Sequence, residues 1–417
     1  MRSIVLFTVA TFGALSPVSV FADSLLIPAD RIYTSPDATP LSNGNVLVRE
    51  GRIASVADER ARIAVPEGTQ TSECRGVVVA GFQNSHVHLM GPSFEGAATK
   101  PASELERGVE SMLTKYGFTT VFDTGSDLAN TVALRARIEK GEVRGPRIFT
   151  AGWPIYPPDG IPFYLKDLPK HILDQLYQPK SAAEARANAA QNLAGGADGS
   201  KIFMVTSPSR DVERALAPDV ASAVARQTHA RGKLLFAHPT NVAGVRAALK
   251  AGVDVIVHTT LGETTAWDAA LTREMVQKNV SVIPTLKLWS YELAKQNVPS
   301  EVVDRLVNAT LAELRSFVGA GGQVLFGTDV GYMHEFDPTD EYLLMAKAGL
   351  TPAQILASLT TAPAQRWKQA RRRGRVETGF DADLVVLAGD PFEDVRNFAK
   401  VRCVFRGGVQ IYAAAAD

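Results

Sequence analysis

Eight short apolar runs, each followed by a polar or amphipathic stretch, organise most of this 417-residue chain. In order they are "QNSHVHL", "GFTTVFDTG", "PRIFTAGW", "GSKIFMV", "KLLFAHP", "VDVIVHT", "VSVIPTL" and "QVLFGTD". Segments such as "VAGVRAALKAG" (242–252) and "AWDAALTREMVQKN" (266–279) carry helical periodicity between them. Strands joined by helical crossovers pair in parallel. Eight such units favour an α/β chain closed into a (β/α)8 TIM barrel, assigned to residues 81–373. A doubly wound open sheet is the alternative, but no G-x-G-x-x-G follows the first run.

The flanks read differently. "NGNVLVREGRIASVADE" (43–59) alternates on both sides of Glu50-Gly51, as a hairpin does. "ADLVVLAGDP" (382–391) and "KVRCVFRGGVQIY" (400–412) are turn-bounded strands as well. These segments predict a small β-sandwich built from both chain ends, 23–80 and 374–414. Residues 1–22 have the pattern of a secretory signal peptide: Arg2, an apolar core from Ile4 to Leu15, and a small-residue cleavage site ending at Ala22. An exported protein is expected, periplasmic in a Gram-negative cell, and no later segment is long and apolar enough to span a bilayer. Cys74 and Cys403 both fall in the predicted sandwich, where two separate buried thiols are the expected state.

Charge is balanced, with 44 Lys+Arg against 44 Asp+Glu, so no nucleic acid or anionic membrane is implied as a partner. The basic run "RWKQARRRGR" (366–375) reads as a solvated face near a domain junction. A small-molecule substrate is the expected partner; self-association into a homo-oligomer is left open.

The polar residues at the ends of the runs carry the chemistry. His86 and His88 are an H-x-H pair, and residues i and i+2 of a strand point to one side. Lys201 lies on the fourth run, His238 on the fifth, His258 on the sixth and Asp329 on the eighth. A barrel brings all these ends to one mouth. Neutral imidazoles and a carboxylate suit zinc-like ions, which acidify a bound water. A lysine whose pKa is depressed can react with carbon dioxide as the free amine, giving an anionic carbamate with an oxygen for each of two metals. A plain lysine anchoring the strand or the substrate is the other reading of Lys201.

This set resembles the metal-dependent amidohydrolase superfamily in its two-metal branch. The resemblance extends to "NGNVLVREGRIASV", "GFTTVFDTG" and "DADLVVLAGDP". It implies that His86, His88 and Asp329 hold one metal, His238 and His258 the other, and carboxylated Lys201 bridges the two divalent ions, with zinc expected. A hydroxide shared by the metals would attack a polarised carbonyl, and Asp329 would be the catalytic proton shuttle. The implied function is an exported hydrolase cleaving an amide bond of the dipeptide or N-acyl amino acid type. A deaminase of a nitrogen heterocycle and a lactone or phosphoester hydrolase are the alternatives.

Members that cleave dipeptides, X-Pro dipeptides included, are the most similar in style, yet several of their local motifs are absent. This chain has "MVTSPSR" after Lys201, "AHPTN" around His238, and the Pro-rich loop "WPIYPPDGIPFYLKDLP" (153–169) after the third run. Such a loop at the mouth suits a substrate wall. Substrate contacts are therefore expected from Trp153 and Tyr156 in that loop, from Arg210, and from Tyr332 and His334 just after Asp329.

Overall fold

The computed structural model describes residues 24–61, 63–261 and 266–415; the predicted signal peptide lies outside the described residues. Seven of the eight apolar runs are strands: β1 (Phe82–Val87), β2 (Phe118–Asp123), β3 (Arg147–Thr150), β4 (Gly199–Phe203), β5 (Leu234–His238), β6 (Val255–Val257) and β7 (Ser281–Ile283). All pair in parallel, in one sheet of order β3-β2-β1 and another of order β4-β5-β6-β7. Every residue of β1 and β2 is buried, as expected of parallel strands covered on both faces. Helices Ala102–Met112, Leu128–Glu139, Pro218–His229, Val242–Ala251 and Ala269–Gln277 make the crossovers. Polar caps start three of them: Asp127, Asn241 and Asp268 each accept amide hydrogens of the first turn.

The eighth run departs from expectation, because it forms no continuous strand. Single parallel bridges tie Val324 to Val282 and Val330 to Val87. Ser85 N donates to Phe326 O at 2.7 Å, and Leu325 N to Val282 O at 2.9 Å. Gly327 explains the irregularity in part. A Cβ at that position would lie 2.3 Å from the Ile283 side chain and 2.9 Å from His86 Cβ, so the backbone runs closer to its neighbours than a strand with a side chain allows. Between the two sheets, Ile155 bridges Ile202, and Phe203 N donates to Ile155 O at 2.9 Å.

The chain ends build the remaining β structure. A six-stranded mixed sheet runs Val409–Ala413, Val401–Arg406, Leu384–Leu387, Val77–Ala80, Arg31–Ile32, Leu41–Ser42. A four-stranded sheet runs Arg52–Ala57, Asn45–Arg49, Ser24–Pro28, Gln70–Thr71. Glu50 and Gly51 turn the expected hairpin with φ of 49° and 75°, the left-handed pair that a two-residue turn demands. Ile27, Val46, Val48, Val78, Leu384, Val386 and Phe405 share one apolar core here.

Two expectations are corrected in this region. Cys74 and Cys403 are joined in a disulfide, with Cα atoms 6.4 Å apart across a sequence separation of 329. Sheet pairing explains it: Cys74 leads into Val77–Ala80, which pairs with Leu384–Leu387, which pairs with the strand carrying Cys403. The basic run is not simply a solvated face. Arg373 makes ion pairs with Asp381 at 3.0 Å and Asp383 at 3.7 Å, and its side chain is 12% exposed. Arg366 donates to the Asp254 carbonyl.

Candidate metal centre

His86 lies within β1 and His88 one residue beyond its end. Their Nε2 atoms are 3.2 Å apart, and each is 3.0 Å from Asp329 Oδ1. Asp329 reaches them from the eighth run through backbone with φ of 62°, its amide donating to His86 O at 2.9 Å. Gly331, at φ 98°, lets the following turn pass against β1; a Cβ there would sit 1.8 Å from His88 O.

The turn after β2 orients both imidazoles. His88 Nδ1 contacts the Gly125 carbonyl at 2.6 Å. A carbonyl only accepts, so Nδ1 carries the hydrogen and Nε2 of the neutral ring is a bare lone pair. Thr124 Oγ1 lies 3.1 Å and 3.2 Å from the two ring nitrogens of His86. Asp123, fully buried, fixes the turn by accepting from Gly125 N (3.2 Å), Ser126 Oγ (2.7 Å) and Thr131 Oγ1 (2.9 Å).

A cation fits this arrangement. In the neutral ring the bare Nε2 of His88 faces a carboxylate oxygen at 3.0 Å, two acceptors held together. Asp329 Oδ1 is buried and, among the described residues, has nothing but the two imidazole nitrogens to meet it. Both features are costly unless a positive charge lies between them. Two imidazoles and a carboxylate are zinc-type donors.

The remaining predicted ligands gather beside this trio. The His258 ring centroid is 5.0 Å from that of His86 and 4.7 Å from that of His238. His258 Nε2 is 4.0 Å from Asp329 Oδ2, while its Nδ1 meets Thr285 Oγ1 at 2.5 Å. Lys201, 2% exposed, stands in the middle of β4 with its Nζ 5.4 Å from the Phe203 ring centroid. Burial pushes His86 and His238 down to about 3 and His258 well below its usual value, so these rings are neutral. Burial likewise lowers Lys201 to about 7, with Asp329 pulling the other way. His88 alone among them is raised, since Asp329 outweighs its burial. Burial would raise Asp329, but His86 and His88 hold it well below the usual carboxylate range.

Of the predicted substrate residues, Tyr156 is near the cluster: it stacks on Phe203 at 4.5 Å, and Phe203 stacks on His238 at 4.6 Å. Tyr332 donates to Glu292 at 2.7 Å and takes the edge of Tyr164 at 5.5 Å. Trp153 packs instead with Leu128, Leu176 and Tyr156, its amide on Asn192. Arg210 is exposed in the tight turn between strands Val205–Ser209 and Val212–Ala215, and His334 is exposed too. Sequence reasoning missed Asp123, Thr124, Thr285 and Glu292, whereas Tyr164 belongs to the loop read as a substrate wall. Asp123 and Thr124 stand in the quoted "FDTG", where a polar pair closing an apolar run was the available signal.

The ochratoxinase of Aspergillus niger is 24% identical, over 94% of this chain and 86% of that protein. Among solved structures, a Xaa-Pro dipeptidase with methionine bound in its active site superposes with a TM-score of 0.78 at 22% identity, covering 94% of this chain and 100% of that one. The A. niger ochratoxinase structure gives 0.76 at 21%, covering 95% and 97%. A prolidase complexed with N-methylphosphonate-L-proline gives 0.76 at 24%, covering 94% and 100%. The likenesses establish an α/β amidohydrolase fold. The Amidohydrolase family model matches residues 77–411, and the chain therefore belongs to the amidohydrolase family, enzymes that act on carbon–nitrogen bonds.

Proposed function

We propose that this chain is an exported two-metal hydrolase cleaving the amide bond of a dipeptide or an N-acyl amino acid. The observation that carries the reading is the convergence of His86, His88 and Asp329 beside His258, His238 and buried Lys201. His86, His88 and Asp329 would hold one ion, His238 and His258 the other, and Lys201, as a carbamate, would bridge them. The names of the similar proteins, a Xaa-Pro dipeptidase and a prolidase among them, favour a substrate of this class.

Divalent ions held by these residues would supply an acidified water and polarise the scissile carbonyl. The chain's own residues do the rest. Asp329 Oδ1 faces the two imidazoles, and Oδ2 lies toward His258. As water adds to the carbonyl carbon, Asp329 takes its proton and delivers it to the departing nitrogen, so that the C–N bond breaks with an amine as leaving group. His88, locked by Gly125 O, and His258, locked by Thr285, keep their Nε2 lone pairs available throughout.

The two parallel sheets and the eighth run are read as one closed (β/α)8 barrel. Phe122, Ala151, Phe236, Val255, Val257, Ile283 and Leu325 meet in one apolar cluster, with Trp367 packed against it, as inward-facing barrel residues would. Residues 81–373 form that barrel domain in this reading, and 23–80 with 374–414 the sandwich. The disulfide supports passage through an oxidising compartment.

The test is metal content per chain for wild type and Lys201→Ala, purified with bicarbonate and zinc, with both assayed on dipeptides and N-acyl amino acids. Two ions in wild type, fewer in the variant and a parallel loss of cleavage are expected. One ion in both, with amide cleavage retained, refutes the bridge; one ion in both and no cleavage of any amide in the panel points to a one-metal deaminase.

A further inference from the structure

Helix α1 (Leu286–Lys295) begins without the cap its sequence offers. Thr285 occupies the capping position, yet its side chain bonds none of the helix amides, and its backbone is left-handed at φ 44° and ψ 53°. A threonine there ordinarily turns its hydroxyl onto the second or third amide. Here Thr285 Oγ1 donates to Pro284 O at 2.9 Å and meets His258 Nδ1 at 2.5 Å. A hydroxyl has one proton. With the hydroxyl turned to Pro284 O, that proton cannot also serve the ring, and His258 Nδ1 is the donor in the second contact. The tautomer is thereby fixed with Nε2 bare, on the side facing Asp329.

The amides that Thr285 leaves open are taken from another element. Glu341 of helix α2 (Thr339–Lys347) is 1% exposed and accepts from Leu286 N at 2.9 Å through Oε1 and from Lys287 N at 2.8 Å through Oε2. Trp289, one turn into α1, donates to Thr259 Oγ1 at 2.8 Å, so the helix grips the His258 turn at a second point. His258 itself has φ of 74° and needs such support.

We propose that Glu341 is a positioning residue for His258: by capping α1 from a different helix, it frees the Thr285 hydroxyl to fix the tautomer and direction of the imidazole. The proposal rests on His258 being a metal ligand. Two carboxyl oxygens are needed because two neighbouring amides are accepted at once, one by each oxygen, and a glutamine side chain offers only one.

The test uses the mature full-length chain loaded with zinc, and follows ions per chain and their competition by a chelator. Wild type, Glu341→Gln, Thr285→Val and the double variant are compared, with melting temperature recorded for each. Glu341→Gln is expected to weaken one of the two ions about tenfold and to leave the other unchanged. Thr285→Val should weaken the same ion, and the double variant should be no worse than the poorer single, because both act through one hydrogen bond. A lower melting temperature with both ions retained at full affinity overturns the proposal, as do losses that multiply in the double variant. Glu341→Asp, too short to reach both amides, replaces Glu341→Gln should the latter not fold. A wild type with a single ion would refute the two-metal reading separately. The imidazole nitrogen signals of histidine-labelled protein then decide: loss of the Nδ1–H form of His258 in Glu341→Gln supports the proposal, and an unchanged tautomer refutes it.

Discussion

His258, Thr285 and Asp329 all hold positive φ, between 44° and 74°, and all lie at or beside the candidate metal centre. For residues with a Cβ this conformation is uncommon, and its cost is of order 1–3 kcal/mol each where nothing relieves it. Their clustering says that ligand direction is held against local backbone preference. Asp329→Asn keeps the shape but removes the charge, and kcat on an amide substrate should fall about 10³-fold. Metal analysis and steady-state kinetics on the same preparation check this. The candidate ligands were legible in the sequence because each is a polar residue in or just after an apolar run, where burying it unpaired is costly. Thr285 and Glu341 were not, since one looks like an ordinary helix cap and the other like an ordinary helix-surface acid. Their roles exist only in a contact between segments 55 residues apart.

At the level of elements, Glu341 makes the packing of α1 against α2 sensitive to pH. Burial pushes its carboxyl from 4.5 up to about 7. The folded state then binds this proton more tightly than the unfolded chain, so the contribution is complete below about pH 4.5 and is lost as pH rises through about 7. Glu341→Gln has no such titration. Its stability deficit against wild type should be larger at pH 5 than at pH 8, measured by denaturant unfolding at both. The Pro-rich loop is a second element with a consequence. It ends its run of aromatics with Tyr164 against Tyr332, three residues after Asp329. Tyr164→Ala is expected to raise KM about tenfold with a smaller effect on kcat, consistent with lost binding of substrate and transition state alike. Strand and crossover positions were readable from apolar periodicity. The eighth run was not, because the close approach of Gly327 to β1 and β7 leaves no trace in hydrophobic pattern.

For the whole molecule, the disulfide fastens the strand Val401–Arg406 to the segment preceding Val77–Ala80. Cys403→Ser should cost about 2–5 kcal/mol of stability, read as a lower melting temperature, while metal content and kcat stay as in wild type. Composition and spacing pointed to a sandwich from both chain ends but not to the pairing of the thiols, since sheet order decides which distant residues become neighbours. That order has a temporal side. Val77–Ala80 pairs on one side with Leu384–Leu387, about 300 residues further along. A growing chain therefore carries an open strand edge through synthesis of all the candidate metal-binding residues, and closes it only when the far segment has emerged. Premature termination near residue 380 would leave that edge permanently bare, a template for aggregation even though His86 through Asp329 had all been made.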